Sequence, residues 1–266
     1  MNHYDVKSIL RALPQCAIAA AFRIFGNNLL HMNAILTTLR AELKAMGDPA
    51  IKESAKRFFK EDIKTHGTKT PAVRALAKKL NKQLKDVPKA EVFRLCDSLW
   101  QSGYLEESFV ACEWAYAQRK KFEPADFKVL EKWVSNYVSN WASCDTLCNH
   151  TVGDFLQLYP EFMPELKRWA KSKNRWMKRA AAVSLIVPAR KGKFLDEIFT
   201  IATILLKDED DLVQKGYGWV LKAASESQLN EVFKFVMQHK NEMPRTALRY
   251  AIEKMPADKK AKAMAK

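Results

Sequence analysis

Three short segments of the 266-residue chain carry residues whose types and spacing suit chemistry. In "NWASCDTLCNH", Trp141 and Asp145 lie four apart, so on a helix they share one face, while Cys144, Leu147, Cys148 and Thr151 form the adjoining, more buried face. An aromatic platform beside a carboxylate suits stabilisation of a cationic sugar or base. A Trp packed in the core beside a solvated Asp fits the same spacing. In "SKNRWMKRAAAVSLIV", Asn174 has the chemistry of an N-cap, which puts Arg175, Lys178 and Arg179 in the first two turns of a helix. Cations there oppose the helix dipole unless an anion such as a phosphate docks at the helix start. In "DLVQKGYGWVLKAAS", Gly216 and Gly218 interrupt an otherwise helical pattern, each at a cost of about 1 kcal/mol relative to Ala. The apolar face there runs through Val213, Gly216, Tyr217, Val220 and Ala224, with Trp219 at its edge. Close helix packing and close approach of a ligand explain the two glycines equally well.

Other chemistries lack their marks. The chain has no Gly-rich phosphate loop, no His-Glu-x-x-His and no Gly-x-Ser-x-Gly. Its five cysteines, Cys16, Cys96, Cys112, Cys144 and Cys148, form no Cys-x-x-Cys pair and read as reduced, mostly core thiols. No metal site and no organic cofactor are expected.

The formal charge of +15 points to a polyanionic partner. It is concentrated. Residues 164–193 hold ten cations against Glu165 alone, and residues 51–85 hold eleven against Glu53, Glu61 and Asp62, so these two segments together exceed the whole net charge. Solvated helix faces would look the same on this feature alone.

These residues must be positioned by helices. Only eight glycines leave few sites for tight hairpins, and apolar residues recur at helical spacing from Met32 onward. Breakers follow at Gly47-Asp48-Pro49, Gly67, Pro88, Gly103, Pro124, Gly153, Pro160, Gly192 and Pro244. About a dozen short helices and no strand are predicted, which gives an all-α fold, a bundle or an α-solenoid of stacked antiparallel pairs. The even spacing favours the solenoid, although no strict sequence repeat is visible. Residues 1–31 read as an N-terminal extension or upstream start, 32–256 as one helical domain and 257–266 as a basic tail. The apolar stretch Ala12 to Phe22 is too short to span a membrane.

Taken together the motifs resemble the AlkD-like DNA alkylation-repair glycosylases, over roughly Met32 to Pro256. The carriers are "SNWASCD", with Trp141 and Asp145 at the family's Trp-x-x-x-Asp spacing; "NRWMKRAA", with Arg179; "QKGYGWVLK", with Trp219; and the early segment "FFKEDIKTHGTKTPAVRAL". The early segment departs from the family pattern, having Thr65 and His66 where an aromatic usually precedes the Gly. The resemblance implies an α-solenoid of HEAT-like repeats with a concave basic face. It also implies hydrolysis of the N-glycosidic bond of cationic N3- or N7-alkylated purines in duplex DNA, without base flipping and without a cofactor. It assigns Asp145 as the catalytic carboxylate, Trp141 and Trp219 as contacts to the lesion's deoxyribose, and Arg179, with Lys178 and Arg175, as phosphate-binding groups. The expected protein is a monomer in the cytoplasm, associated with the nucleoid. A non-catalytic DNA-binding paralogue and a protein-interaction scaffold are the alternatives.

Overall fold

The computed structural model describes the backbone of residues 15–265, and the surroundings of side chains from residue 30 onward. Within these residues the regular structure is helical. The only pairing of extended backbone among them is an isolated bridge between Lys64 and Tyr104.

The first helix, α1 (Gln15–Ala45), runs unbroken through residues 31 and 32. From residue 30 onward Met32, Ile35, Leu36, Leu39 and Leu43 are buried at three- and four-residue spacing, as the amphipathic pattern implies, whereas Leu30 is exposed. Asp48 then caps α2 (Pro49–Phe58), accepting a hydrogen bond from the Ala50 N–H at 2.8 Å, with Pro49 in the first turn where no N–H is needed. An irregular stretch leads to α3 (Thr70–Asn81). From there helices follow one another closely: α4 (Lys89–Gln101), α5 (Leu105–Ala117), α6 (Phe127–Asn136), α7 (Trp141–Thr146), α8 (Gly153–Leu158), α9 (Met163–Ala170), α10 (Arg175–Val183), α11 (Ile186–Arg190), α12 (Leu195–Leu205), α13 (Asp211–Ser225), α14 (Leu229–His239), α15 (Arg245–Ile252) and α16 (Ala257–Met264).

The helices form two rows. In one, α3 packs on α5, α5 on α7, α7 on α10, α10 on α13 and α13 on α15; in the other, α4, α9, α12 and α14 each pack against a member of the first. Short connections make successive helices fold back on one another, which is the all-α solenoid arrangement anticipated from the breaker spacing.

The repeat that the sequence hides is visible in the partners of three fully buried tryptophans. The Trp114 indole N–H donates to the Ala77 carbonyl, that of Trp133 to Asp97, and that of Trp169 to Glu131, at separations of 37, 36 and 38 residues. A buried indole needs an acceptor, and in each case the preceding repeat supplies it. Packing against the neighbouring unit thus recurs every 36 to 38 residues although the residue types do not.

Gly153 does not break a helix. It follows a π-helical turn, Leu147–Val152, that joins α7 to α8 in one rod, and a Cβ at this position would lie 2.7 Å from the Ser184 carbonyl oxygen. Its role is close packing. Residues 257–264, read as a tail, are helix α16, held by Lys240, which donates to the carbonyls of Lys262 and Ala265.

Candidate functional site

Three neighbouring helices of the first row, α7, α10 and α13, position the site, and each starts at a side-chain cap. Asn140 accepts from the Ser143 N–H at 2.9 Å, Asn174 from Trp176 N–H at 2.9 Å, and Asp210 from the N–H groups of Leu212 and Val213 at 2.9 and 3.3 Å. These caps satisfy N–H groups that have no partner inside the helix and fix where each helix starts. The side chains four or five residues later are therefore presented in a fixed register.

The centre is an ion pair. Asp145, one turn into α7, and Arg179, one turn into α10, are joined by two parallel bonds: Arg179 Nε to Oδ1 and Nη2 to Oδ2, both 2.8 Å. Nη1 of Arg179 also donates to the Leu212 carbonyl at the start of α13, so one guanidinium ties the three helices together. Asp145 is 9% exposed and Arg179 5%. Burial pushes the Asp145 carboxyl above its ordinary value against the opposing pull of Arg179. A guanidinium has five N–H donors, of which three are engaged here, and each carboxylate oxygen retains acceptor capacity.

Two tryptophans share the helices that carry or cap this pair. Trp141 opens α7, partly buried, one turn before Asp145. Trp219 lies on α13 three residues after Gly216, also partly buried. One of the two glycines of α13, Gly218, is explained by packing. A Cβ at Gly216 would lie 3.4 Å from Cγ of Arg179, and one at Gly218 would lie 2.7 Å from both the Ala247 carbonyl oxygen and Cβ of Tyr250. A methyl group at Gly216 would make only ordinary contact with Arg179, whereas Gly218 lets α15 approach.

Each of the other two cations at the start of α10 has a carboxylate partner. Lys178 bonds Asp208, and Arg175 donates from Nη2 to Asp210 at 3.1 Å and lies 3.7 Å from Glu61 through Nη1. The residues that answer these cations, Asp208, Asp210 and Glu61, were not singled out in the sequence. Of the other cations in residues 164–193, Arg168 and Arg190 also have carboxylate partners, whereas Lys167, Lys171, Lys173, Lys191 and Lys193 have none among the described residues.

A second group missed in the sequence is an aromatic pair at the end of α2. Phe59 stacks on Trp141 with centroids 5.4 Å apart and planes at 24°, and Phe58 meets Trp141 edge-on at 5.6 Å. Phe58 is 67% exposed. The signal was available: two adjacent phenylalanines ending a helix that buries none of its residues. Beside them lies a cavity of about 360 Å³ walled by Phe58, Phe59, Phe109 and Trp141, with Thr65 and Thr68 supplying hydroxyls. Glu106, also at its edge, is saturated by the Thr65 hydroxyl and the N–H groups of His66, Gly67 and Thr68.

Cys144 and Cys148, four apart on the rod, are buried thiols. Among the described residues no group of three or more His, Cys, Asp or Glu side chains is arranged to hold a metal ion. None of their helices is long and apolar enough to cross a membrane.

Comparison with known proteins adds the following. A family model described as DNA alkylation repair enzyme matches residues 39–255. A solved structure of a predicted DNA alkylation repair enzyme from Enterococcus faecalis superimposes with a TM-score of 0.72 and 19% sequence identity, covering 80% of this chain and 98% of that one. At that identity the likeness shows the fold. No curated protein matches.

Proposed function

Because the chain belongs to the DNA alkylation repair enzyme family, we propose that it is a DNA glycosylase that releases cationic N3- or N7-alkylated purines from duplex DNA by hydrolysing the N-glycosidic bond. The observation that carries this reading is the buried carboxylate of Asp145, locked by Arg179 and one turn after Trp141 on the same helix.

Alkylation at N3 or N7 puts positive charge on the purine and makes it a good leaving group. The barrier then lies in the sugar, which becomes oxocarbenium-like as the bond breaks. A carboxylate beside that sugar stabilises the developing charge, more strongly where water is excluded. Asp145 is that carboxylate in our reading. The acceptor capacity that Arg179 leaves on it orients or deprotonates the attacking water. Trp141 and Trp219 flank the deoxyribose with their π faces, adding cation–π attraction to the same charge. The two unengaged N–H donors of Arg179 reach the adjacent phosphate, with Lys178 and Arg175 behind it. Arg179 thus both positions Asp145 and holds the backbone. No base-flipping pocket is needed, because the leaving group's own charge supplies what base recognition supplies elsewhere. The duplex lies along the first helix row, gripped by the cations of residues 51–85 and 164–193 on a concave face.

The test is release of 7-methylguanine or 3-methyladenine from methylated DNA by the purified protein. Asp145→Asn is expected to lose release and keep DNA binding. Undiminished release by that variant removes Asp145 from this role, and DNA binding without release by the unaltered protein makes the chain a non-catalytic DNA binder instead.

A further inference from the structure

The irregular stretch after α2 crosses to the starts of α10 and α13. Lys60 Nζ bonds Asp211 Oδ2 at 3.0 Å, the Glu61 carboxylate lies 3.7 Å from Arg175 Nη1, and Phe59 stacks on Trp141. The partners are 151 residues apart in the first pair and 114 in the second, so two surfaces distant in the chain are held together beside the site. Phe59 and Ile63, on either side of the charged residues, are both buried and anchor the segment.

Glu61 is poorly placed for a purely structural role. Both of its carboxylate oxygens are out of contact with water and neither accepts a hydrogen bond. Burying a carboxylate without hydrogen bonds is unfavourable, and its only compensation here is a guanidinium beyond hydrogen-bonding distance. Opening the segment returns Glu61 to water. A backbone phosphate at Arg175 Nη1 would form the charge-assisted bond that Glu61 does not. The Lys60 to Asp211 pair is exposed and weakened by salt.

We propose that residues 58–62 form a strap across the site, in which Glu61 stands at Arg175 in the place that a DNA phosphate takes, so that strap closure and DNA binding exclude each other. This rests on the reading of the chain as a DNA-binding repair enzyme. Glu61 is a positioning residue in this scheme, not a catalytic one. Its carboxylate keeps Arg175 oriented in the absence of DNA and lowers affinity for DNA by the fraction of molecules that are closed.

The experiment locks the strap. Lys60→Cys and Asp211→Cys are introduced in a Cys16→Ser background, where the remaining thiols are buried, and are bridged by a short, reducible bis-thiosulfonate. Binding of a fluorescent duplex is read by anisotropy at low salt. The locked protein, whose strap cannot open, binds at least about tenfold more weakly than the unlocked one, and reduction restores affinity. A locked protein that binds as well as the unlocked one overturns the strap while leaving the glycosylase reading in place. An unlocked protein that binds no DNA overturns both.

Discussion

Removing either partner of the Asp145 to Arg179 pair tests whether it holds three helices together, and a double-mutant cycle separates that role from chemistry. Both groups are less than one-tenth exposed and share two bonds of 2.8 Å, so little solvent screening is left. Breaking a buried ion pair by removing one partner costs about 3–5 kcal/mol, because the other charge stays buried and uncompensated. At about 2–4 °C per kcal/mol for a domain of this size, Asp145→Leu or Arg179→Met alone lowers the melting temperature by about 6 to 20 °C. The double variant, with two apolar side chains of similar volume, returns most of that loss. The Arg179→Met single variant also has a pH signature. Burial already raises the Asp145 carboxyl in the folded protein, and without the guanidinium nothing opposes it. The folded state then binds more protons than the unfolded state between the unfolded value of about 3.9 and the raised folded value, so stability is highest at acid pH and falls as pH rises through that window. Differential scanning calorimetry between pH 4.5 and 8 reads both effects. Additivity of the two single variants within about 0.5 kcal/mol refutes the coupling.

Base release requires the ionised form of Asp145, so its rate falls as pH drops through a midpoint above the ordinary carboxylate value of about 3.9; a rate that stays flat down to pH 4 removes the carboxylate from the rate-limiting step. Gly218→Ala forces a Cβ to within 2.7 Å of the Ala247 carbonyl oxygen and is expected to destabilise by about 1–3 kcal/mol in urea unfolding, and an unchanged midpoint contradicts the close packing of α13 on α15. Burial raises the thiols of Cys96, Cys112 and Cys144, so these three should resist DTNB in the native protein and react once it is unfolded; rapid native reaction places them at the surface.

What was legible in the sequence was whatever is encoded within one turn or one helix. The entry of α2 at Asp48 and Pro49, the cap at Asn174 and the shared face of Trp141 and Asp145 follow from local rules, and the structure has them there. The all-α class followed from scarce glycine and helical spacing. The 36- to 38-residue repeat was not legible, because it resides in which carbonyl or carboxylate each buried indole reaches and not in recurring residue types. The partners of the cations were hidden for the same reason. Arg175, Lys178 and Arg179 looked like unanswered charges at a helix start, and Glu61, Asp208, Asp210 and Asp145 come to them from 30 to 114 residues away. The question left open at Gly218 needed tertiary structure too, since only the position of α15 shows what a methyl group would strike.

The π-helical turn between α7 and α8 has a consequence for how the site and the core coexist. An α-helix advances about 100° per residue, so the azimuth of every side chain on a continuous rod is fixed by that of the first. Wider i to i+5 winding over Leu147–Val152 absorbs roughly one extra residue and resets that phase. Upstream, Asp145 faces the first-row neighbour that brings Arg179; downstream, Phe155 and Leu156 return fully to the interior. The two halves of the rod therefore answer to different demands, the bearing of a carboxylate on one side and the filling of space on the other, and the turn between them lets each be set without disturbing the other.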